Sequence, residues 1–216
     1  MQHNLVAENI IKRVGKRELL RNVNLELAGG SIYGFTGENG SGKTMLFRVL
    51  CGLVRPSRGH VWMDGEHVHR GARKARIGVL LENPALWPEL TGRENLLYLS
   101  RIQDVIPVSK VEETMVRVGL DPGNSLPFRK YSLGMRQRLL IAQAVMEEPD
   151  FLFLDEPTNS LDEEGVDLIR QIIAGEAERG AVVLLSSHLK QDISWLCDQV
   201  YFMENGMCRL RRHDEV

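Results

Sequence analysis

The sequence predicts an α/β protein built around a mostly parallel, buried sheet. Three observations carry this prediction. Apolar strand-like runs alternate with helical runs in both the first and last thirds of the chain. A glycine-rich turn joins one such strand directly to a helix, and the middle third is helical. In order, residues 5–11 and 19–27 have extended, partly alternating patterns, punctuated by Gly15 and Gly29-Gly30. Residues 32–35 form a short apolar strand, and residues 43–50 a helix stopped by Gly52 and Pro56. Residues 60–63 and 77–81 are further strands, with a tight turn at Asp64-Gly65. Thr91-x-x-Glu94 and Ser109-x-x-Glu112 are predicted capping boxes, each opening an amphipathic helix. Residues 132–147 make a third helix, ended near Pro149. Residues 151–155, 181–186 and 200–203 are strands, with a helix after Asp162 and a turn at Glu204-Asn205-Gly206. One domain is expected over 1–216. Segments 1–82 and 149–216 would form its core, with 83–148 a helical block inserted between them.

Composition narrows function by exclusion. The 216 residues carry 27 Lys+Arg against 29 Asp+Glu, a net charge of −2. No basic stripe is present to neutralise a phosphate backbone, so nucleic acid is not an expected partner. Arg209, Arg211 and Arg212 read as a solvated end. Cys51, Cys197 and Cys208 are odd in number and lack metal-ligand spacing, which suits a reducing compartment. No run approaches the ~20 apolar residues of a membrane span, and residues 1–17 lack a signal-peptide apolar region. Any link to a membrane is expected through a partner.

Gly37-Glu38-Asn39-Gly40-Ser41-Gly42-Lys43-Thr44 fits G-x-x-x-x-G-K-[ST], lying after a strand and opening a helix. Its glycines allow consecutive backbone N–H groups to face phosphate oxygens, and the helix start adds partial positive charge. Lys43 is placed to reach the β- and γ-phosphates and the Thr44 hydroxyl to ligate Mg²⁺. Met45 follows on the same turn and joins the candidate nucleotide contacts. The apolar strand of residues 151–154 ends in two carboxylates, at the end where open α/β sheets place ligands. Asp155 would hold the metal's hydration shell, and Glu156 would orient or deprotonate the attacking water.

Further motifs then name a family. Tyr131-Ser132-Leu133-Gly134-Met135-Arg136-Gln137-Arg138 resembles the signature segment of ABC ATPases. Pro157-Thr158-Asn159-Ser160-Leu161-Asp162 is similar to their dimer-crossing loop, and Ser186-Ser187-His188 to their switch-histidine segment. The likeness covers essentially the whole chain in the family's order. It implies a P-loop NTPase (RecA-like) parallel-sheet core with an N-terminal antiparallel β subdomain and an inserted helical subdomain. It also implies ATP and Mg²⁺ as ligands, and ATP closed between two subunits. Ser132, Gly134, Met135 and Asp162, the last from the crossing loop, would meet nucleotide, and His188 would sense the γ-phosphate. The implied partners are a second ATP-binding subunit, in a homo- or heterodimer, and an integral-membrane permease. The chain would then sit on the cytoplasmic face of the cell membrane.

Three positions depart from the common pattern. Val14 stands where an aromatic usually stacks on adenine. Glu82 replaces the usual Gln of the loop touching metal and permease, where a carboxylate beside a triphosphate needs a cation between them. Leu133 and Met135 replace Gly and Gln. The last two departures resemble the branch exporting drugs and lantibiotic-type peptides through a separate permease. In a transport motor the helical block 83–148 would present the docking surface, with Leu86, Trp87 and Leu90 as contacts; a place in the core is the equal alternative for Trp87. A soluble relative acting on nucleic acid or ribosomes, and a weakly hydrolysing regulatory binder, are the alternative readings.

Overall fold

The computed structural model describes residues 3–69, 75–81, 86–188 and 190–211. The expectations for Glu82 and Arg212 therefore lie outside the described residues.

Two sheets organise the chain. The first is antiparallel, in the order β2-β1-β4-β5, from β1 (Asn4–Val14), β2 (Arg17–Ala28), β4 (Arg58–Met63) and β5 (Glu66–His67). The second has the order β10-β9-β3-β8-β7-β6 and contains β3 (Ser31–Thr36), β6 (Ile77–Leu80), β7 (Phe151–Asp155), β8 (Val182–Ser186), β9 (Gln199–Glu204) and β10 (Met207–Leu210). Every pairing in it is parallel except that of β9 with β10. Helices α1 (Lys43–Leu50), α2 (Gly92–Gln103), α3 (Val108–Arg117), α4 (Leu133–Val145), α5 (Glu163–Glu178) and α6 (Lys190–Leu196) complete the chain.

The central strands are apolar throughout because both faces of the second sheet are covered. Phe151, Phe153, Val182 and Leu184 face one way, into a core shared with α1 and the antiparallel sheet. Leu152, Leu154, Val183 and Leu185 face the other way, against the helices. Leu96, Val111, Met115 and Leu139 of the middle helices enter that second core, which seats the helical block on the sheet.

Register explains where chemistry gathers. Ser186 pairs with Phe35 on one side and with Asp155 on the other. The carboxyl ends of β3, β8 and β7 therefore lie side by side. The turn into α1 and the loops after β7 and β8 share one sheet edge.

The Thr91 capping box forms in both directions, with Glu94 N–H donating to the Thr91 hydroxyl and Thr91 N–H to the Glu94 carboxylate. The box expected at Ser109 does not. Helix α3 begins two residues earlier, with Pro107 as its N-cap residue and no side-chain cap. The fixed φ of proline pre-forms that entry and leaves Ser109 inside the first turn. The short strands β5 and β10 and helix α6 were not read from the sequence. Their two to seven residues are too few to show a period.

Candidate active site

The phosphate-type loop connects β3 to α1. Gly37 has φ +142°, and a Cβ there would lie 2.1 Å from the Met203 carbonyl oxygen, so no other residue fits. Gly42, at φ +112°, is the N-cap of α1 and supplies no side-chain acceptor to the helix's first N–H groups. Those donors and the helix dipole are left to an anion. Gly40 faces open space, which leaves the backbone approachable. Lys43 is largely buried and donates from Nζ to the carbonyls of Gly37 (2.7 Å) and Glu38 (3.2 Å), closing the loop over its own ammonium. Burial lowers its pKa, only partly offset by Glu156 and Asp155. The buried Ser41 hydroxyl has no hydrogen-bond partner among the described residues.

Strand ends supply the carboxylates. Asp155 Oδ2 accepts from the Thr44 hydroxyl at 2.6 Å, and Oδ1 accepts from the Ser186 hydroxyl. Glu156 takes a left-handed φ of +51° as the chain leaves β7, its N–H donating to the Ser186 carbonyl at 3.1 Å. Such a strained turn at a strand end aims the side chain out of the sheet. Glu156 Oε2 accepts from the His188 N–H at 3.3 Å. Its Oε1 is buried without a hydrogen bond, although His188 Nε2 lies 3.2 Å away. Burial raises the Glu156 pKa, His188 pulls it back, and neighbouring Asp155 adds to the rise.

Loop, carboxylates and His188 line one open cavity of about 670 Å³. Asn39, Gly40, Gly42, Lys43, Thr44, Met45, Asp155, Glu156 and His188 all touch it. The remaining candidates lie elsewhere. Val14 is 55 % exposed at the end of β1 and does not line the cavity, whereas its cross-strand partner Arg17 does. Ser132 caps α4, accepting from the Met135 N–H at 3.2 Å. Its neighbour Leu133 is 68 % exposed, so this end of α4 faces outward. Gly134 approaches the Ser160 carbonyl, where a Cβ would sit at 3.3 Å. Asp162 caps α5, accepting from the Gly165 N–H at 3.1 Å. Ser132, Gly134, Met135 and Asp162 are thus absent from this chain's own cavity lining.

Sequence reading missed two contributors. Gln137 lines the cavity from α4 and donates to the carbonyls of Glu156 (3.2 Å) and Pro157 (2.8 Å). Ser186 links Asp155 to the Glu156 backbone. Both stood inside quoted motifs, yet nothing in their spacing marks them.

Comparison with known proteins gives a consistent result. The ABC transporter family model matches residues 20–159. YybJ, an ABC transporter ATP-binding protein of Bacillus subtilis strain 168, is 42 % identical over 209 residues, covering 96 % of this chain and 95 % of that protein. SrtF of Streptococcus pyogenes, a lantibiotic transport ATP-binding protein, is 34 % identical over 96 % of this chain and 90 % of its own length. The fold is shared with the ATP-binding cassette MJ0796, solved as a dimer bound to ADP and phosphate. The TM-score is 0.87 at 22 % identity, with 96 % of this chain and 98 % of that one covered.

Proposed function

The chain belongs to the ABC transporter family, as an ATP-binding subunit that hydrolyses ATP to power transport, and from that premise we propose which residues do the work. The observation carrying the assignment is convergence. Phosphate loop, Thr44, Asp155, Glu156 and His188 meet on one cavity at three adjacent strand ends, with buried Ser186 holding Asp155 from behind.

The open N–H groups of residues 37–44 bind the triphosphate, and Lys43 turns from its loop carbonyls to the β- and γ-phosphates. Arg17, directly across the hairpin from Val14 and on the cavity wall, covers the base with its planar guanidinium in place of an aromatic ring. The donor set suits Mg²⁺: one hydroxyl and one carboxylate 2.6 Å apart, leaving most positions to phosphate and water. Thr44 and Asp155 would hold the ion, with Glu82 on the metal side. Bound there, it would neutralise charge on the phosphate oxygens. Glu156 orients a water through its hydrogen-bond-free Oε1 and takes its proton as the oxygen attacks phosphorus. The bond from phosphorus to the bridging oxygen breaks, releasing ADP and phosphate. His188, with Nε2 3.2 Å from Glu156 Oε1, would sense the γ-phosphate and report its loss.

Ser132, Gly134 and Met135 lie at an outward-facing helix start off the cavity. They act on the nucleotide of a second ATP-binding subunit, with Asp162 in the crossing contacts. A second copy of this chain carries both halves, so two copies suffice for two complete sites. An integral-membrane permease is the further partner, and it would hold the chain at the inner face of the membrane. The helical block 83–148 offers the docking surface. There the Trp87 ring is 40 % exposed and lies 4.5 Å from that of Tyr98, which is 55 % exposed. The Trp87 backbone is clamped by buried Asn95, so the ring is displayed from a rigid base. The likeness to SrtF, a lantibiotic transport protein, supports a drug, a peptide antibiotic or similar small cargo, carried outward.

The test compares two variants of the purified chain with Mg²⁺. Lys43→Ala should lose ATP binding and turnover together, while Glu156→Gln should keep binding and lose turnover. Undiminished turnover in Glu156→Gln would remove the assignment.

A further inference from the structure

Beneath the loops bearing Glu156 and His188 lies a buried carboxylate that the scheme above does not use. Asp192, in the first turn of α6, is 1 % exposed. A buried charge is costly unless it is paired and hydrogen-bonded, and this one is saturated. Its Oδ1 accepts from Arg170 Nε (3.0 Å) and Nη2 (2.7 Å). Its Oδ2 accepts from the hydroxyls of Thr158 (2.6 Å) and Ser187 (2.9 Å). Arg170 is itself 12 % exposed, with the Trp195 ring 5.4 Å from its guanidinium carbon.

The partners are informative by position. Thr158 lies two residues after Glu156, and Ser187 immediately precedes His188. One carboxylate oxygen thus ties together the segments that carry the two groups, and Arg170 anchors that carboxylate to α5. We infer that Asp192 is a positioning residue for hydrolysis, fixing Glu156 relative to His188 through Thr158 and Ser187. This inference rests on the roles proposed above for Glu156 and His188.

Hydrolysis is sensitive to such bracing, since misplacing a reacting group by about 1 Å costs on the order of 10²-fold in rate. The phosphate loop belongs to β3 and α1 and takes no part in the network, so nucleotide affinity should be spared. Substituting Asp192 itself would leave the largely buried Arg170 guanidinium with only the exposed Asp167, 3.3 Å from Nη1, as its charged partner and endanger folding. Thr158→Val with Ser187→Ala removes both hydroxyls and leaves the Arg170–Asp192 pair intact.

The experiment measures steady-state ATP hydrolysis by the full chain with Mg²⁺, beside Glu156→Gln and a Thr158→Ser control. The double variant should lose about tenfold or more in kcat, with KM for ATP within about twofold. The hydroxyl-retaining Thr158→Ser should stay near wild type. The split between KM and kcat, read beside the folded fraction from calorimetry, separates positioning from simple loss of folded protein: a positioning defect lowers kcat per folded molecule and leaves KM in place. Wild-type kcat, or a loss matched by the fraction of unfolded protein, overturns the inference. If Glu156→Gln also turns over normally, the roles of Glu156 and His188 fall with it. If Glu156→Gln is inactive and the double variant is normal, only the positioning role of Asp192 falls.

Discussion

Replacing Glu156 by Gln changes one oxygen to an amide at constant shape, and its consequences can be worked separately for chemistry and stability. The backbone contacts that build this turn, from Glu156 N–H to the Ser186 carbonyl and from Gln137 to the Glu156 carbonyl, do not involve the side chain. The amide oxygen can still accept from the His188 N–H, so the cavity should keep its shape. Burial raises the Glu156 pKa, so ionisation is disfavoured in the folded state. A carboxyl of that kind favours folding below its folded pKa and disfavours it as pH rises through and above it. The neutral amide relieves this cost at neutral pH, and the melting temperature should hold or rise by a few degrees, at roughly 2–4 °C per kcal/mol. Chemistry goes the other way. Losing a general base costs about 10²–10⁴ in rate, equivalent to roughly 3–5 kcal/mol of barrier. Phosphate release under saturating ATP and Mg²⁺, run beside calorimetric unfolding, reads both. Turnover above about a tenth of wild type in a fully folded variant would refute Glu156 as the base.

Thr44→Val removes the hydroxyl that holds Asp155 Oδ2 and would ligate the metal. It should weaken Mg²⁺-dependent ATP binding about tenfold, corresponding to about 1–3 kcal/mol for a partner left unsatisfied, as titration calorimetry with and without Mg²⁺ would register. The kcat–pH profile should be bell-shaped. Its acid limb should lie above the ordinary 4.5 of a glutamate, because ionised Glu156 is required and burial raises it. Its basic limb should lie below the ordinary 10.5 of a lysine, because protonated Lys43 is required and burial lowers it. Phe47→Ala empties the fully buried space between Phe35 (5.2 Å) and Phe153 (6.0 Å) behind the phosphate loop. It should cost about 3–5 kcal/mol, lowering the melting temperature by roughly 10 °C or more. Trp87→Ala should leave basal ATP hydrolysis intact and diminish its stimulation by the permease in reconstituted vesicles.

Local chemistry and period made much of the fold legible from sequence. Thr91, Ser132 and Asp162 each precede a helix with the right side chain for a cap, and each does cap one. Ser109 misled because the capping-box pattern competed with Pro107, whose ring fixes the helix entry earlier. Contiguous parts of the site, from Gly37 to Thr44 and Asp155-Glu156, were visible because the chemistry demands fixed spacing. Parts assembled across elements were not. Asp192 meets Thr158, Arg170 and Ser187 from three separate segments, and no spacing rule joins them. Val14 rests on the family resemblance alone, and the cavity is reached instead by Arg17, its partner across the hairpin, which no motif marks.

The account depends on Ser132 at the exposed start of α4 closing over nucleotide held by another subunit's phosphate loop. Sedimentation of the Glu156→Gln chain tests this most directly. Saturating ATP with Mg²⁺ should double the sedimenting mass, and exchange to ADP should return it to the monomer. A chain that binds ATP fully and remains monomeric would contradict the shared site.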